Sequence, residues 1–116
     1  MGAHVYELRD PRNGAVRYVG VSANLATRLI GHVSVGRRCA GPNTAFHAWI
    51  ADLLVLGLRP QIVPVEAVDD DRVSRREAED RWIRKHVRRG AHLVNGRREI
   101  ETAFRAAHLA RVRSAS

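Results

Sequence analysis

Apolar and polar side chains alternate along residues 4–9 (His-Val-Tyr-Glu-Leu-Arg), and a second β-rich run follows at residues 15–21 (Ala-Val-Arg-Tyr-Val-Gly-Val). Between them Asp10-Pro11-Arg12-Asn13-Gly14 carries strong turn chemistry, so the pattern predicts an antiparallel hairpin. The period then lengthens to that of a helix. Ser22 is placed to cap a helix over about 23–33, with Leu25 and Leu29 on its buried side. Residues 36–42 predict a basic, glycine-containing loop. Asn43 then caps a second helix, in which Phe46, Trp49, Ile50, Leu53 and Leu54 recur at helical spacing and which ends near Gly57.

Residues 61–68 predict a third strand, where Pro64 marks an edge or a bulge. Asp69-Asp70-Asp71 forms an acidic turn, and Ser74 with Glu77 makes a capping box that opens a third helix. Along that helix Ala78, Trp82, Ile83 and Val87 face inward, Glu79 lies at the margin of the apolar stripe, and Gly90 is the stop. Residues 92–96 cross back, and Ile100, Ala103, Phe104, Ala107 and Ala110 mark a final amphipathic helix. The pattern as a whole predicts an α/β fold: a small three-stranded sheet with an antiparallel hairpin, flanked by helices. Residues 1–96 form its main unit, and 97–116 a C-terminal amphipathic helix packed on the same domain.

Composition narrows the functional classes. At 116 residues the chain supports one core. It holds no apolar run near the roughly 20 residues of a membrane span. Met1–Tyr6 has no basic region followed by an apolar stretch, so no signal peptide is expected, and the single cysteine, Cys39, fits a reducing cytoplasm. Twenty Lys+Arg against twelve Asp+Glu give a net charge of +8, which points to a polyanionic partner, nucleic acid first. Lys85 is the only lysine, and arginine suits bidentate phosphate contacts.

The potential chemistry concentrates near the N-terminus: Tyr6 and Tyr18 on the hairpin, then Arg28 and His32 one helical turn apart. Each residue also has a plain reading. The tyrosines suit cross-strand packing, Arg28 and His32 a solvated helix face, and Glu79 a surface ion pair with Arg76, Arg81 or Lys85. Asn95 before Gly96 is an ordinary turn pair. Cys39, His32 and His47 lack the paired ligand spacing of a zinc site.

Taken in order, Val5-Tyr6, Tyr18-Val19-Gly20, Ser22 leading to Arg28 and His32, Ala78-Glu79 with Trp82-Ile83, and Leu93-Val94-Asn95 resemble the GIY-YIG nucleases over roughly residues 4–96. His4 stands in place of the first motif's glycine, and valine replaces both isoleucines. The resemblance implies metal-dependent hydrolysis of phosphodiester bonds in DNA by an endonuclease. It makes Glu79 the carboxylate on Mg²⁺ or Mn²⁺, Tyr6 the candidate base with Tyr18 beside it, and Arg28 the group that neutralises the phosphate. It also makes His32 an aid to Tyr6 or a phosphate contact, and Asn95 a brace of the site. Arg37 and Arg38 are the expected DNA contacts outside the catalytic group. Recognition is expected to be loose or structure-directed, or supplied by a protein partner. A non-catalytic nucleic-acid-binding module on the same fold is the alternative, and a structural partner of an RNA assembly rests on charge alone.

Overall fold

The computed structural model describes residues 2–38 and 44–115, with side chains at 2–34 and 45–113. Three strands, β1 (Gly2–Arg9), β2 (Val16–Ser22) and β3 (Gln61–Asp69), form an antiparallel sheet in the order β2-β1-β3. Four helices complete the fold: α1 (Leu25–Arg38), α2 (Thr44–Val55), α3 (Arg72–Arg88) and α4 (Arg97–Ala115). The result is a small α/β fold with the sheet between two helical layers. Among the described residues no helix is long and apolar enough to cross a membrane.

The alternation in β1 decides which layer each residue meets. Tyr6 and Leu8 point to one face and pack with Phe46, Trp49, Ile50, Leu53 and Val94, with Leu25 and Leu29 of α1 at the margin. Val5 points to the other face and packs with Val19, Ala78, Ile83 and Ala103, which brings α3 and α4 onto that side. Both faces of the central strand are therefore buried. Glu7, also on the second face, is 3% exposed and accounts for its burial with two partners. His86 Nε2 lies 2.5 Å from one carboxylate oxygen, and Arg9 Nη2 lies 2.7 Å from the other.

Pro64 does both things its chemistry allows. It sits on the edge strand β3 and opposite Tyr6, where the pairing with β1 shifts register between Val5 and Tyr6. Gly57 and Gly90 stop α2 and α3 at positive φ (71° and 87°), and in each case the next residue's N–H closes back on the last turn.

Helix starts depart from the expected positions. Asn24, not Ser22, caps α1, its side chain accepting from Thr27 N at 3.1 Å, while Ser22 Oγ accepts from Asn24 N. Asp71 caps α3 by accepting from Ser74 N at 2.8 Å, so that helix begins before the predicted capping box. In both places an Asn or Asp at the chain's entry reaches the free N–H groups first. Helix α1 also runs on to Arg38 instead of ending near Val33. Gly36 costs a helix only about 1 kcal/mol relative to alanine and does not stop it. Cys39 and Asn43 lie outside the described residues, as do the side chains of Arg37 and Arg38.

Candidate active site

The hairpin places Tyr6 and Tyr18 on the same face of the sheet, since Tyr6 pairs with Gly20 and Leu8 with Tyr18. Their rings stack at a centroid distance of 6.3 Å. The third residue of Tyr18-Val19-Gly20 has a steric cause. A Cβ built on Gly20 would collide with the Tyr6 hydroxyl and lie 2.5 Å from Cζ, so the phenol occupies the space a side chain would need.

Helix α1 crosses this face and delivers two more groups. His32 is buried, edge-on to Tyr18 at 5.0 Å and beside Phe46 at 5.1 Å, and its Nε2 lies 2.7 Å from the Tyr6 hydroxyl. Arg28, one turn earlier and exposed, donates from Nε to the same hydroxyl at 3.4 Å. Burial first, and the Arg28 charge second, push the imidazole down to about 4. His32 is therefore neutral at physiological pH, with one ring nitrogen free to accept the Tyr6 proton.

The phenols move the other way. Burial raises Tyr6 above the ordinary phenol range, and the hydrogen bond and charge of Arg28 only partly offset it. Tyr18 is raised well above that range, again by burial first and then by the neighbouring Tyr6.

Glu79 approaches from the opposite side of β2. It is half-buried on α3, and its negative charge bears on both phenols. Burial, then the charges of Glu99 and Asp80, push its carboxyl up to about 7 against the pull of Arg76 and Arg75. It lines two clefts. One, of about 580 Å³, lies at the start of α3 against Val21, and the other, of about 1090 Å³, runs between α3 and the start of α4 past Asn95. Tyr6, Tyr18, Arg28 and His32 line neither cleft, and contact one another on the face of the sheet that α1 covers. Among the described residues no group of three His, Cys, Asp or Glu is placed to hold a metal ion. The donor chemistry fits a hard divalent ion that keeps most of its water: the Glu79 carboxylate, with the charges of Glu99 and Asp80 acting on it and, among the described residues, no sulfur ligand beside it.

Asn95 is buried and divides its amide between the outer edge of β2 and Glu99 of α4. Oδ1 accepts from Val19 N at 3.0 Å, and Nδ2 donates to Val19 O at 2.9 Å and to Glu99 at 3.1 Å. On the same edge Val94 N donates to Arg17 O at 2.5 Å, and Arg75 Nη2 donates to Val21 O at 3.3 Å. Asn95 thus braces the strand that carries Tyr18 and Gly20, and ties it to the first turn of α4.

The sequence reading missed Glu99. It follows Asn95 by four residues in the first turn of α4, and its charge acts on Glu79, Tyr6 and Tyr18. The i, i+4 spacing from Asn95 was a visible sign of the contact. No family model matches the chain, and neither does any curated protein or solved structure.

Proposed function

We propose that the chain is a divalent-metal-dependent endonuclease hydrolysing phosphodiester bonds in DNA, resembling the GIY-YIG nucleases, with Tyr6, Tyr18, Arg28, His32, Glu79 and Asn95 as its site. One observation carries the reading: the Tyr6 hydroxyl meets a neutral imidazole at 2.7 Å and an exposed guanidinium at 3.4 Å, within the field of a carboxylate from another helix. A packing tyrosine needs none of these.

The geometry supports a relay in place of a free phenolate. With Nε2 as the unprotonated ring nitrogen, Tyr6 donates its proton to His32 and keeps for an incoming water the one lone pair that Arg28 does not take. As the water's proton passes to Tyr6, the phenol proton passes to His32, so His32 gains one proton and Tyr6 ends neutral. The phenolate that burial disfavours is never a resting species. Arg28 pairs with the phosphate and, in doing so, offsets the positive charge that depresses the imidazole. Substrate binding thus makes His32 a better acceptor. Tyr18 holds the ring of His32 edge-on and that of Tyr6 by stacking. Mg²⁺ or Mn²⁺ at Glu79, when bound, supplies polarisation of the phosphate and stabilises the leaving oxygen.

A binding module without catalysis is favoured by the net charge of +8 alone, and it leaves the Tyr6–His32–Arg28 grouping without a use. The deciding experiment incubates purified protein with Mg²⁺ or Mn²⁺ and a panel of duplex, flap, branched and single-stranded DNA, beside Glu79→Ala. Metal-dependent cutting by the native chain, lost in a folded Glu79→Ala variant, supports the reading. Cutting that persists in that variant refutes the role of Glu79, and no cutting of any substrate refutes the nuclease.

A further inference from the structure

Arg76 precedes Glu79 by three residues on α3, and both residues line both clefts. The two clefts therefore meet at an arginine and a carboxylate on one helical face. The larger one continues along the start of α4, where Arg97 and Arg98 join its wall.

The charges along this groove are unevenly committed. Arg97 pairs with Glu101 at 2.9 Å, and Glu99 accepts from Asn95. Arg76, with its side chain 61% exposed, has a loose contact of 3.8 Å with Asp80. Arg98 is exposed in the first turn of α4, and no acid pairs with it among the described residues. The Arg98 guanidinium is thus left without an acid partner among the described residues, and that of Arg76 without a close ion pair although the charges of Asp80 and Glu79 lie near it, on one groove that begins at Glu79. Groups of this shape match phosphate oxygens two at a time.

Resting on the nuclease reading, we propose that the DNA strand leaves the cleavage centre along the groove between α3 and α4, where Arg76 and Arg98 hold phosphates flanking the one that is cut. Arg28 serves the scissile phosphate from the hairpin side, and these two arginines serve the strand beyond Glu79. Arg76 is the nearer, since it stands at the junction of the clefts. Arg98 marks how far the strand follows the groove.

The test measures binding in the Glu79→Gln background, which removes cutting and the local carboxylate charge together. The probe is a fluorescein-labelled DNA duplex with a single-stranded extension, titrated over a range of salt concentrations. Arg76→Gln and Arg98→Gln should each weaken binding about tenfold and lower the slope of log affinity against log salt by about 0.7–0.9. Arg59→Gln, before β3 at the opposite end of that strand from α3, should change neither. Circular dichroism confirms that the surface variants fold. If both groove variants bind with native affinity and slope, the proposed path is overturned, even when the native chain cuts DNA. If they weaken binding as stated while the native chain cuts nothing with Mg²⁺ or Mn²⁺, the path stands and the nuclease reading falls. Equal losses with Arg59→Gln also overturn it, because the groove is then no different from general surface charge.

Discussion

Gly20→Ala tests whether the hairpin glycine is dictated by the phenol that lies across it. The added Cβ falls 2.5 Å from Tyr6 Cζ and 2.9 Å from Cε1. Ordinary contact begins near 3.4 Å, so ring or backbone must move. The ring has little room, being 1% exposed, stacked on Tyr18 and held at its hydroxyl by His32. Overpacking of this kind costs about 1–3 kcal/mol. Loss of the hydroxyl's hydrogen bond adds about 0.5–1.5 kcal/mol, and the better backbone preference of alanine in a strand returns about 0.5–1 kcal/mol. The net expectation is a loss of about 2 kcal/mol. Tyr6→Ala alone should cost about 3–5 kcal/mol through the cavity it leaves. In that background nothing opposes the new methyl, and Gly20→Ala should be neutral or slightly stabilising. Urea unfolding of the four proteins, followed by circular dichroism, gives the coupling directly, expected at about 2–3 kcal/mol. An equal cost for Gly20→Ala in both backgrounds would remove Tyr6 as the reason for the glycine.

Tyr6→Phe should keep the stacked ring and most of the DNA affinity yet reduce turnover by about 10²-fold or more; an active variant moves the relay elsewhere. His32, whose proton affinity drops from the ordinary 6.5 to about 4 on folding, gives a pH signature. Between those values the unfolded chain binds more protons than the folded one, so the neutral imidazole's contribution of about 3 kcal/mol is present above pH 6.5 and disappears as the pH falls to about 4. His32→Gln should flatten that part of the stability profile, and an unchanged profile counts against a buried neutral imidazole. Asn95→Asp replaces a donor with an acceptor opposite Val19 O and Glu99, and should cost about 3 kcal/mol at neutral pH. Acidification restores a proton to donate, so the loss should shrink toward pH 4, and a loss that does not change with pH argues for a different origin.

Local pattern carried most of the fold. The hairpin, the edge character of Pro64 and the helix-stopping roles of Gly57 and Gly90 follow from alternation and turn chemistry, which act over a few residues. Helix starts were less legible, because Ser22, Asn24, Asp71 and Ser74 all offer capping oxygens and only the path of the chain decides among them. The grouping of Tyr6, Arg28 and His32 was legible through the family resemblance, whereas the bond between Tyr6 and His32 spans 26 residues and has no local signature. Glu7 and His86 illustrate the opposite limit. A glutamate in an alternating strand reads as solvent-facing, and it is buried here because both faces of β1 are covered and a histidine 79 residues away reaches it. The spacing hinted at the contact of Glu99 with Asn95, but its field on Glu79 and the phenols was hidden, since that depends on the return of α4 beside α3.

The amide of Asn95, with Val94 N and the Arg75 guanidinium on either side, has a consequence for the behaviour of the chain in a crowd. An exposed strand edge is a template on which another chain's strand adds, and the addition can repeat without limit. Along β2 the outward-facing Arg17 carbonyl, both the N–H and the carbonyl of Val19, and the Val21 carbonyl are already engaged. Asn95 presents a donor and an acceptor much as one residue of a fourth strand would. The edge nearest the candidate site is therefore closed to strand addition, leaving growth to start, if anywhere on this sheet, from β3, where Pro64 offers no N–H and the bulge beside it spoils the register.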